Sequence, residues 1–123
     1  MSSDVLIIED EFLIAELVKM NLGLRGISSE VACTGKEGIA IFDSENPSVV
    51  ILDVRLPDID GWEVCKILKQ INPAPVVIFM TAATQARDHQ LALEVGADDF
   101  IEKPFDIEKL IAKIKAHLES RKR

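Results

Sequence analysis

Three short runs of the sequence are continuously apolar, and each is followed directly by an acidic or hydroxyl residue. They are Val5 to Ile8, Val49 to Leu52 and Val76 to Met80. A continuous apolar run of this length is typical of a strand covered by helices on both faces of a parallel sheet. Two weaker runs, Glu30 to Cys33 and Asp99 to Ile101, complete a set of five, and the alternation in the first of these favours an exposed edge.

Stretches of helical length separate the five runs and carry apolar residues at helical spacing, which we interpret as core faces. These stripes are Leu13/Leu17/Met20/Leu24, Val64/Leu68/Ile71 and Ile107/Leu110/Ile111/Ile114/Leu118. A (βα)5 alternation with right-handed crossovers predicts an α/β fold with a doubly wound, five-stranded parallel sheet of the flavodoxin-like type. Only the second run ends without a chemically active group. This favours the strand order 2-1-3-4-5, in which the second strand lies at the edge of the sheet and the first and third strands are neighbours.

Length and charge limit the classes of function. With 123 residues, 48% of them hydrophobic, we expect a single domain over residues 1–123, in which residues 119–123 are either its natural end or the start of a linker to an output domain. A net charge of −7 argues against direct contact with nucleic acid or an anionic membrane. The sequence starts without a signal peptide and has no apolar run of membrane-spanning length, so we expect a cytoplasmic protein. Cys33 and Cys65 lack metal-site spacing and are expected to be buried thiols.

The residues that follow the runs predict where a ligand binds, because doubly wound sheets place ligands beyond the carboxyl ends of their strands. Glu9, Asp10 and Glu11 follow the first run and Asp53 follows the third. The fourth run is followed by Thr81 and the fifth by Lys103. With the first and third strands side by side, Glu9, Asp10 and Asp53 converge in one pocket. Glu11 suits a simpler role as an acid in the first turn of a helix.

The predicted chemistry is phosphoryl transfer. Three neighbouring carboxylates repel one another unless a cation balances them, and an all-oxygen ligand set favours Mg²⁺. Lys103 and Thr81 add a positive charge and a hydroxyl beside Asp53. Phosphoryl transfer needs from a protein mainly the neutralisation of charge on the transferred oxygens, which these groups can supply. Asp53 is the candidate nucleophile, and it would form an aspartyl phosphate.

Four motifs, in order along nearly the whole chain, resemble the receiver domains of two-component response regulators. They are Ile7-Ile8-Glu9-Asp10-Glu11, Leu52-Asp53-Val54-Arg55-Leu56-Pro57 with Gly61, Met80-Thr81-Ala82, and Gly96 to Phe105, which contains Lys103-Pro104. The resemblance implies that Asp53 accepts a phosphoryl group from a histidine kinase or phosphotransfer protein. It also implies that Glu9, Asp10, Asp53 and the backbone carbonyl of Arg55 hold Mg²⁺. Thr81 and Lys103 would contact the phosphoryl oxygens, and the peptide before Pro104 would be cis.

The resemblance further implies a switch. Phosphorylation draws the Thr81 hydroxyl inward, Phe100 turns into the vacated space, and the face made by the fourth helix, fifth strand and fifth helix is repacked for a downstream effector protein or domain. The domain would act as a monomer or as a phosphorylation-dependent homodimer. Three residues depart from the commonest pattern: Glu9 replaces an Asp, Phe100 lacks a Tyr hydroxyl, and the long Arg55 side chain is expected to affect the lifetime of the phosphoryl group.

Three alternatives remain at this point. A haloacid-dehalogenase-like, Mg²⁺-dependent phosphatase would need a second Asp two residues after the nucleophile, where this chain has Arg55. A flavin-binding module would need a phosphate-cradling loop after the first strand, where Glu9, Asp10 and Glu11 would repel a phosphate. A pseudo-receiver that acts without phosphorylation is disfavoured because no site residue is missing. We expect no enzyme with an external substrate, only phosphorylation and dephosphorylation of Asp53 itself.

Overall fold

The computed structural model describes residues 3–82 and 86–121, in which five parallel strands alternate with five helices. The strands are β1 (Val5–Ile8), β2 (Ser29–Ala32), β3 (Val49–Leu52), β4 (Val76–Thr81) and β5 (Asp99–Glu102). The helices are α1 (Phe12–Leu24), α2 (Gly35–Glu45), α3 (Gly61–Lys69), α4 (Ala86–Glu94) and α5 (Ile107–Arg121). The sheet order is β2-β1-β3-β4-β5, so the predicted fold class and strand order are confirmed.

The sheet is covered on both faces because alternate residues of each strand point to opposite sides. In β3, for example, Val49 and Ile51 join the core cluster formed with α1 and α5. Val50 and Leu52 join the cluster on the other face, which includes residues of α2, α3 and α4. All four β3 residues are fully buried, which explains why this run of the sequence is continuously apolar.

The predicted strand bounds differ from the observed ones by one residue at several ends. β2 begins at Ser29 and ends at Ala32, because β1 pairs with it from Val5↔Ser29 to Ile8↔Ala32. Cys33 therefore lies beyond the ladder and is exposed, so the expectation of a buried thiol was wrong there. Cys65 is buried as expected, and burial raises the pKa of its thiol to about 11.

The largest departure from the sequence prediction concerns α1. The stripe interpreted as its core face is exposed to solvent: Leu13 is 81% exposed, Met20 61% and Leu24 78%. The residues of α1 that face the core are Ala15, Val18 and Leu22. Because this helix is apolar on two opposite sides, its periodicity does not reveal which side packs on the sheet.

The loop that follows β3 is tied to the start of α2 by Asp58. Its carboxylate accepts hydrogen bonds from the backbone amides of Gly35 and Lys36, both at 2.8 Å. The bond from the Lys36 amide, followed by that from Gly35, lowers the pKa of Asp58 to about 2. These amides belong to the first turn of α2, where backbone donors have no partner within the helix.

We expect Asp58→Asn to lower the melting temperature at pH 7, because an amide oxygen is a weaker acceptor than a carboxylate for two amides at a helix N-terminus. A pKa lowered in the folded state contributes stability above pH 4, and this contribution is lost as the pH falls toward 2. The difference in melting temperature between the parent and the variant should therefore shrink between pH 5 and pH 3. Asp43→Asn, at an exposed position of α2, is the matched control and should show no such trend.

Candidate functional site

The backbone of the site residues continues the hydrogen-bonding ladder of the sheet. The Glu9 amide donates to the carbonyl of Ala32 at 3.0 Å, and the Asp53 amide donates to that of Ile8 at 3.1 Å. The Lys103 amide donates to the Thr81 carbonyl at 2.8 Å. These bonds fix the residues just beyond neighbouring strand ends, so their side chains start from rigid positions at one edge of the sheet.

Buried polar side chains are concentrated in this place. Among the described residues, only Glu9, Asp53 and Thr81 are polar or charged side chains classed as buried, and they are 0%, 4% and 1% exposed. A buried charge is strongly destabilising unless it is paired. Among the described residues, the destabilising burial of polar side chains is therefore confined to the carboxyl ends of β1, β3 and β4.

The ammonium group of Lys103 supplies the compensating charge. Its Nζ atom lies 2.6 Å from Glu9 Oε1, 2.9 Å from Asp53 Oδ2 and 3.2 Å from Glu11 Oε1. The Lys103 side chain is only 11% exposed. Burial alone would lower the pKa of Lys103, but its contacts with the Glu9 and Asp53 carboxylates hold it above the ordinary value. This lysine is therefore a permanent positive charge.

Glu9 is less completely compensated than Asp53. One oxygen, Oε2, accepts a hydrogen bond from the Glu11 amide at 3.0 Å. The other, Oε1, lies at ion-pair distance from Lys103 but has no hydrogen-bond partner of suitable geometry, and no other buried side-chain N or O atom among the described residues lacks one. Burial raises the pKa of Glu9 to about 7 despite the nearby ammonium. One lysine is thus not enough to satisfy this group of acids.

Asp53 faces an open cavity of about 250 Å³. Its Oδ1 atom accepts a hydrogen bond from the Arg55 amide at 3.1 Å, and its Oδ2 atom accepts one from Lys103. Each carboxylate oxygen can accept two hydrogen bonds, so both keep a lone pair for another contact. The cavity is lined by Asp10, Glu11, Asp53, Arg55, Thr81, Ala82 and Lys103.

The arrangement of the acids fits a divalent cation. One oxygen each from Glu9, Asp10 and Asp53 can be chosen so that all three atoms lie within 4.8 Å of one another. Hard oxygen ligands of this kind are what Mg²⁺ prefers. Glu9 and Asp53 share the ammonium of Lys103, at 2.6 Å and 2.9 Å, so two buried carboxylates contact the same cation and a further positive charge suits the site.

The predicted switch residues lie on adjacent strands. Thr81 ends β4 and Phe100 is in β5, where Phe79↔Phe100 and Thr81↔Glu102 are paired in register. The Phe100 side chain is partly exposed and packs against the core cluster on the α2–α4 face of the sheet. The Lys103–Pro104 peptide is cis, as is Asn72–Pro73.

Sequence reasoning missed two features of the site. Glu11, interpreted as a helix-capping acid, makes no capping hydrogen bond and instead contacts the Lys103 ammonium. An apolar groove of about 420 Å³, lined in part by Ile14, Leu17 and Phe105, adjoins the Asp53 cavity and shares Glu11, Ala82 and Lys103 with it. The apolar residues of α1 were visible in the sequence, but nothing in their spacing marked them as exposed.

Comparison with known proteins agrees with the fold. A sequence model of the response regulator receiver domain matches residues 5–115. The transcriptional regulatory protein TrcR of Mycobacterium tuberculosis is 40% identical over 114 residues, which are 93% of this chain and 44% of that protein. This chain therefore spans less than half the length of that curated relative.

Solved structures give the same result. A CheY-like response regulator receiver domain protein from Methanospirillum hungatei is 29% identical, with a TM-score of 0.92 over 99% of this chain and 98% of that one. The BeF3-activated N-terminal receiver domain of Klebsiella pneumoniae RstA is 28% identical, with a TM-score of 0.87 over 93% of this chain and 97% of that one. The chain belongs to the response regulator receiver domain family of two-component systems. No helix in the described ranges is long and apolar enough to cross a membrane.

The position of Asp53 depends on the close approach of Gly61. The Gly61 amide donates to the Val54 carbonyl at 2.7 Å, and a Cβ atom on Gly61 would collide with the Asp53 carbonyl oxygen and the Val54 Cα atom. Both obstacles are backbone atoms, which cannot move aside as the end of a side chain can. The start of α3 therefore tolerates only glycine at this position.

We expect Gly61→Ala to lower the free energy of unfolding by about 1–3 kcal/mol, the usual cost of overpacking, and to displace the Asp53 backbone. Urea denaturation measures this loss of stability. Gly23→Ala in α1 is the control, because a Cβ atom there meets nothing within 4 Å. Equal stability of the Gly61 variant and the parent would contradict the proposed steric role.

Proposed function

We propose that this domain is a phosphorylation switch in which Asp53 receives a phosphoryl group from a phosphohistidine of a histidine kinase or phosphotransfer protein. The observation that carries the proposal is the buried Asp53 carboxylate, which contacts the Lys103 ammonium and faces an open cavity beside two further acids. Membership of the receiver family supports the same role. The chemistry is confined to Asp53, with no external substrate.

In the transfer step, an Asp53 oxygen attacks the phosphorus atom, a P–O bond forms, and the P–N bond to the donor imidazole breaks. The imidazole keeps the electron pair of that bond and takes up a proton. Lys103 stays close to the reacting oxygens throughout and neutralises part of their charge. Thr81 borders the same cavity, and its hydroxyl would donate a hydrogen bond to a phosphoryl oxygen. Binding the reactants in this orientation is most of what such a transfer requires.

The residues that would hold Mg²⁺ are Glu9, Asp10 and Asp53, together with the backbone carbonyl of Arg55. When bound, the ion would neutralise charge on the acids and on the phosphoryl oxygens. The cavity lining supports this assignment, since Asp10 and Arg55 border it together with Asp53. Glu9 is fully buried, and one of its oxygens lies within 4.8 Å of oxygens of Asp10 and Asp53.

The response to phosphorylation would pass from Thr81 to Phe100 and change the face formed by α4, β5 and α5. A downstream effector protein or domain would then bind this face. Asp99 of this face is already paired with Lys113, and Asp98, just before β5, is paired with Lys69 of α3. These ion pairs would have to rearrange before their charges could serve a homodimer. We propose that the domain works in the cytoplasm, where it would meet its phosphodonor.

Acetyl phosphate with Mg²⁺ should add one phosphoryl group to the protein, because this small donor needs no docking surface. Intact-mass spectrometry measures the gain, and removal of Mg²⁺ with EDTA should abolish it. Asp53→Asn should show no gain while keeping the parent's circular dichroism spectrum. A parent protein that gains no mass under these conditions would instead indicate a pseudo-receiver.

We further propose that the phosphodonor protein docks along the exposed apolar side of α1. Five of the seven large hydrophobic side chains that are exposed in the described structure belong to this helix: Phe12, Leu13, Leu17, Met20 and Leu24. The groove beside Leu17 shares Glu11, Ala82 and Lys103 with the Asp53 cavity, so a protein that reaches Asp53 would be close enough to contact this groove. An apolar surface of this kind on a charged domain is a typical protein interaction site.

Leu17→Glu should separate protein donors from small donors. A panel of autophosphorylated histidine kinases is screened for the fastest phosphodonor to the parent. The rate of phosphoryl transfer from that kinase to the variant should be lower by roughly tenfold or more, because a central contact of the interface is lost. The rate of phosphorylation by acetyl phosphate should stay unchanged. Leu93→Glu is the matched control, because Leu93 is an exposed leucine of α4 that lies outside the groove. Unimpaired transfer to the Leu17 variant would rule out docking on α1.

A further inference from the structure

Phe100 is covered by an aromatic ring from the neighbouring helix. The rings of His89 on α4 and Phe100 on β5 are stacked, with centroids 4.3 Å apart and an interplanar angle of 29°. The Phe100 side chain also packs against the core cluster on that face of the sheet. An inward turn of Phe100 must therefore break its contact with His89.

The His89 ring is held in place by a second residue of β5. Its Nε2 atom lies 2.9 Å from Glu102 Oε1. Phe100 and Glu102 are two residues apart in a strand, so both project toward α4, while Asp99 projects to the other side and contacts α5. One histidine thus joins α4 to two positions of β5, and Glu102 is also the register partner of Thr81.

There is space for the stack to open. A cavity of about 250 Å³ borders it, lined in part by His89, Leu93, Ala97 and Phe100. The side chains of His89 and Glu102 are each 46% exposed, so neither is fixed by burial. The position of the His89 ring therefore depends on these two contacts rather than on tight packing around it.

We propose that His89 and Glu102 form a restraint that holds Phe100 in its partly exposed position and so opposes the switch. The inference rests on the proposed function, because it assigns a positioning role within that switch. A contact made in only one of two arrangements favours that arrangement by its own free energy. Removal of the restraint lowers the cost of the inward turn and strengthens the binding of a phosphoryl group or its analogue at Asp53.

Beryllofluoride, a phosphoryl analogue that binds to aspartate carboxylates, is the probe, and its dissociation constant is measured by calorimetry with Mg²⁺ present. For His89→Ala we expect a dissociation constant about three- to tenfold lower than the parent's, from the loss of one ring stack and one exposed hydrogen bond. Glu102→Ala should shift it in the same direction by less. The double variant should resemble His89→Ala alone, since the pair acts as a unit.

His117→Ala is the matched control. His117 also contacts a carboxylate of β5, with Nε2 3.2 Å from Asp99 Oδ2, but on the α5 side and away from the Phe100 stack. Its removal should leave beryllofluoride affinity unchanged. His89→Phe, which keeps a stacked ring but loses the Glu102 contact, should fall between the parent and His89→Ala.

The possible results distinguish failure of the His89–Glu102 restraint from failure of the proposed phosphorylation switch. A parent that binds beryllofluoride while His89→Ala and Glu102→Ala bind it equally or more weakly would overturn the restraint and leave the proposed function standing. A parent that does not bind it would overturn both. General loosening of the fold does not imitate the expected result, because a destabilised site binds the analogue more weakly.

Discussion

The contact on which this structure depends is the one between Lys103 and the acids around it. Glu9 and Asp53 are buried, and each would be strongly destabilising without a nearby cation. Lys103 lies within 3 Å of both, and it enters the site from the end of the last strand. The first, third and fifth strands must therefore be in place together before the charges of the site are compensated.

The compensation is incomplete, and the imbalance supports the proposed chemistry. Glu9 and Asp53 share the one ammonium of Lys103, and burial raises the pKa of Glu9 to about 7. A site that was fully satisfied by its own lysine would have little affinity for a cation or for a phosphoryl group. A divalent ion would supply the missing positive charge, and that ion together with Lys103 would favour the oxygens of a phosphoryl group near Asp53.

Most of the fold, and the meeting of the candidate site residues at one edge of the sheet, could be predicted from the sequence because both follow from simple patterns. Continuous apolar runs require a sheet covered on both faces, and the acids after β1 and β3 must meet when those strands are neighbours.

Prediction from the sequence failed where two sides of one helix were equally apolar. α1 has apolar residues on both sides, and only the contacts of Val18 and Leu22 with the sheet show which side is buried. Glu11 and Lys103 are 92 residues apart in the sequence, so no local sequence pattern predicts their contact.

β5 explains how one site can be coupled to a distant face over a short stretch of chain. Strand alternation sends Phe100 and Glu102 toward α4 and sends Asp99 toward α5, where it contacts Lys113. Lys103 follows immediately and turns to Asp53. A change in charge at Asp53 would act on Lys103, and Glu102 and Asp99, close to Lys103 in the chain, contact the two helices of the face. The proposed coupling would therefore need no long chain of contacts, because the same four-residue strand joins the proposed phosphoacceptor site to that face.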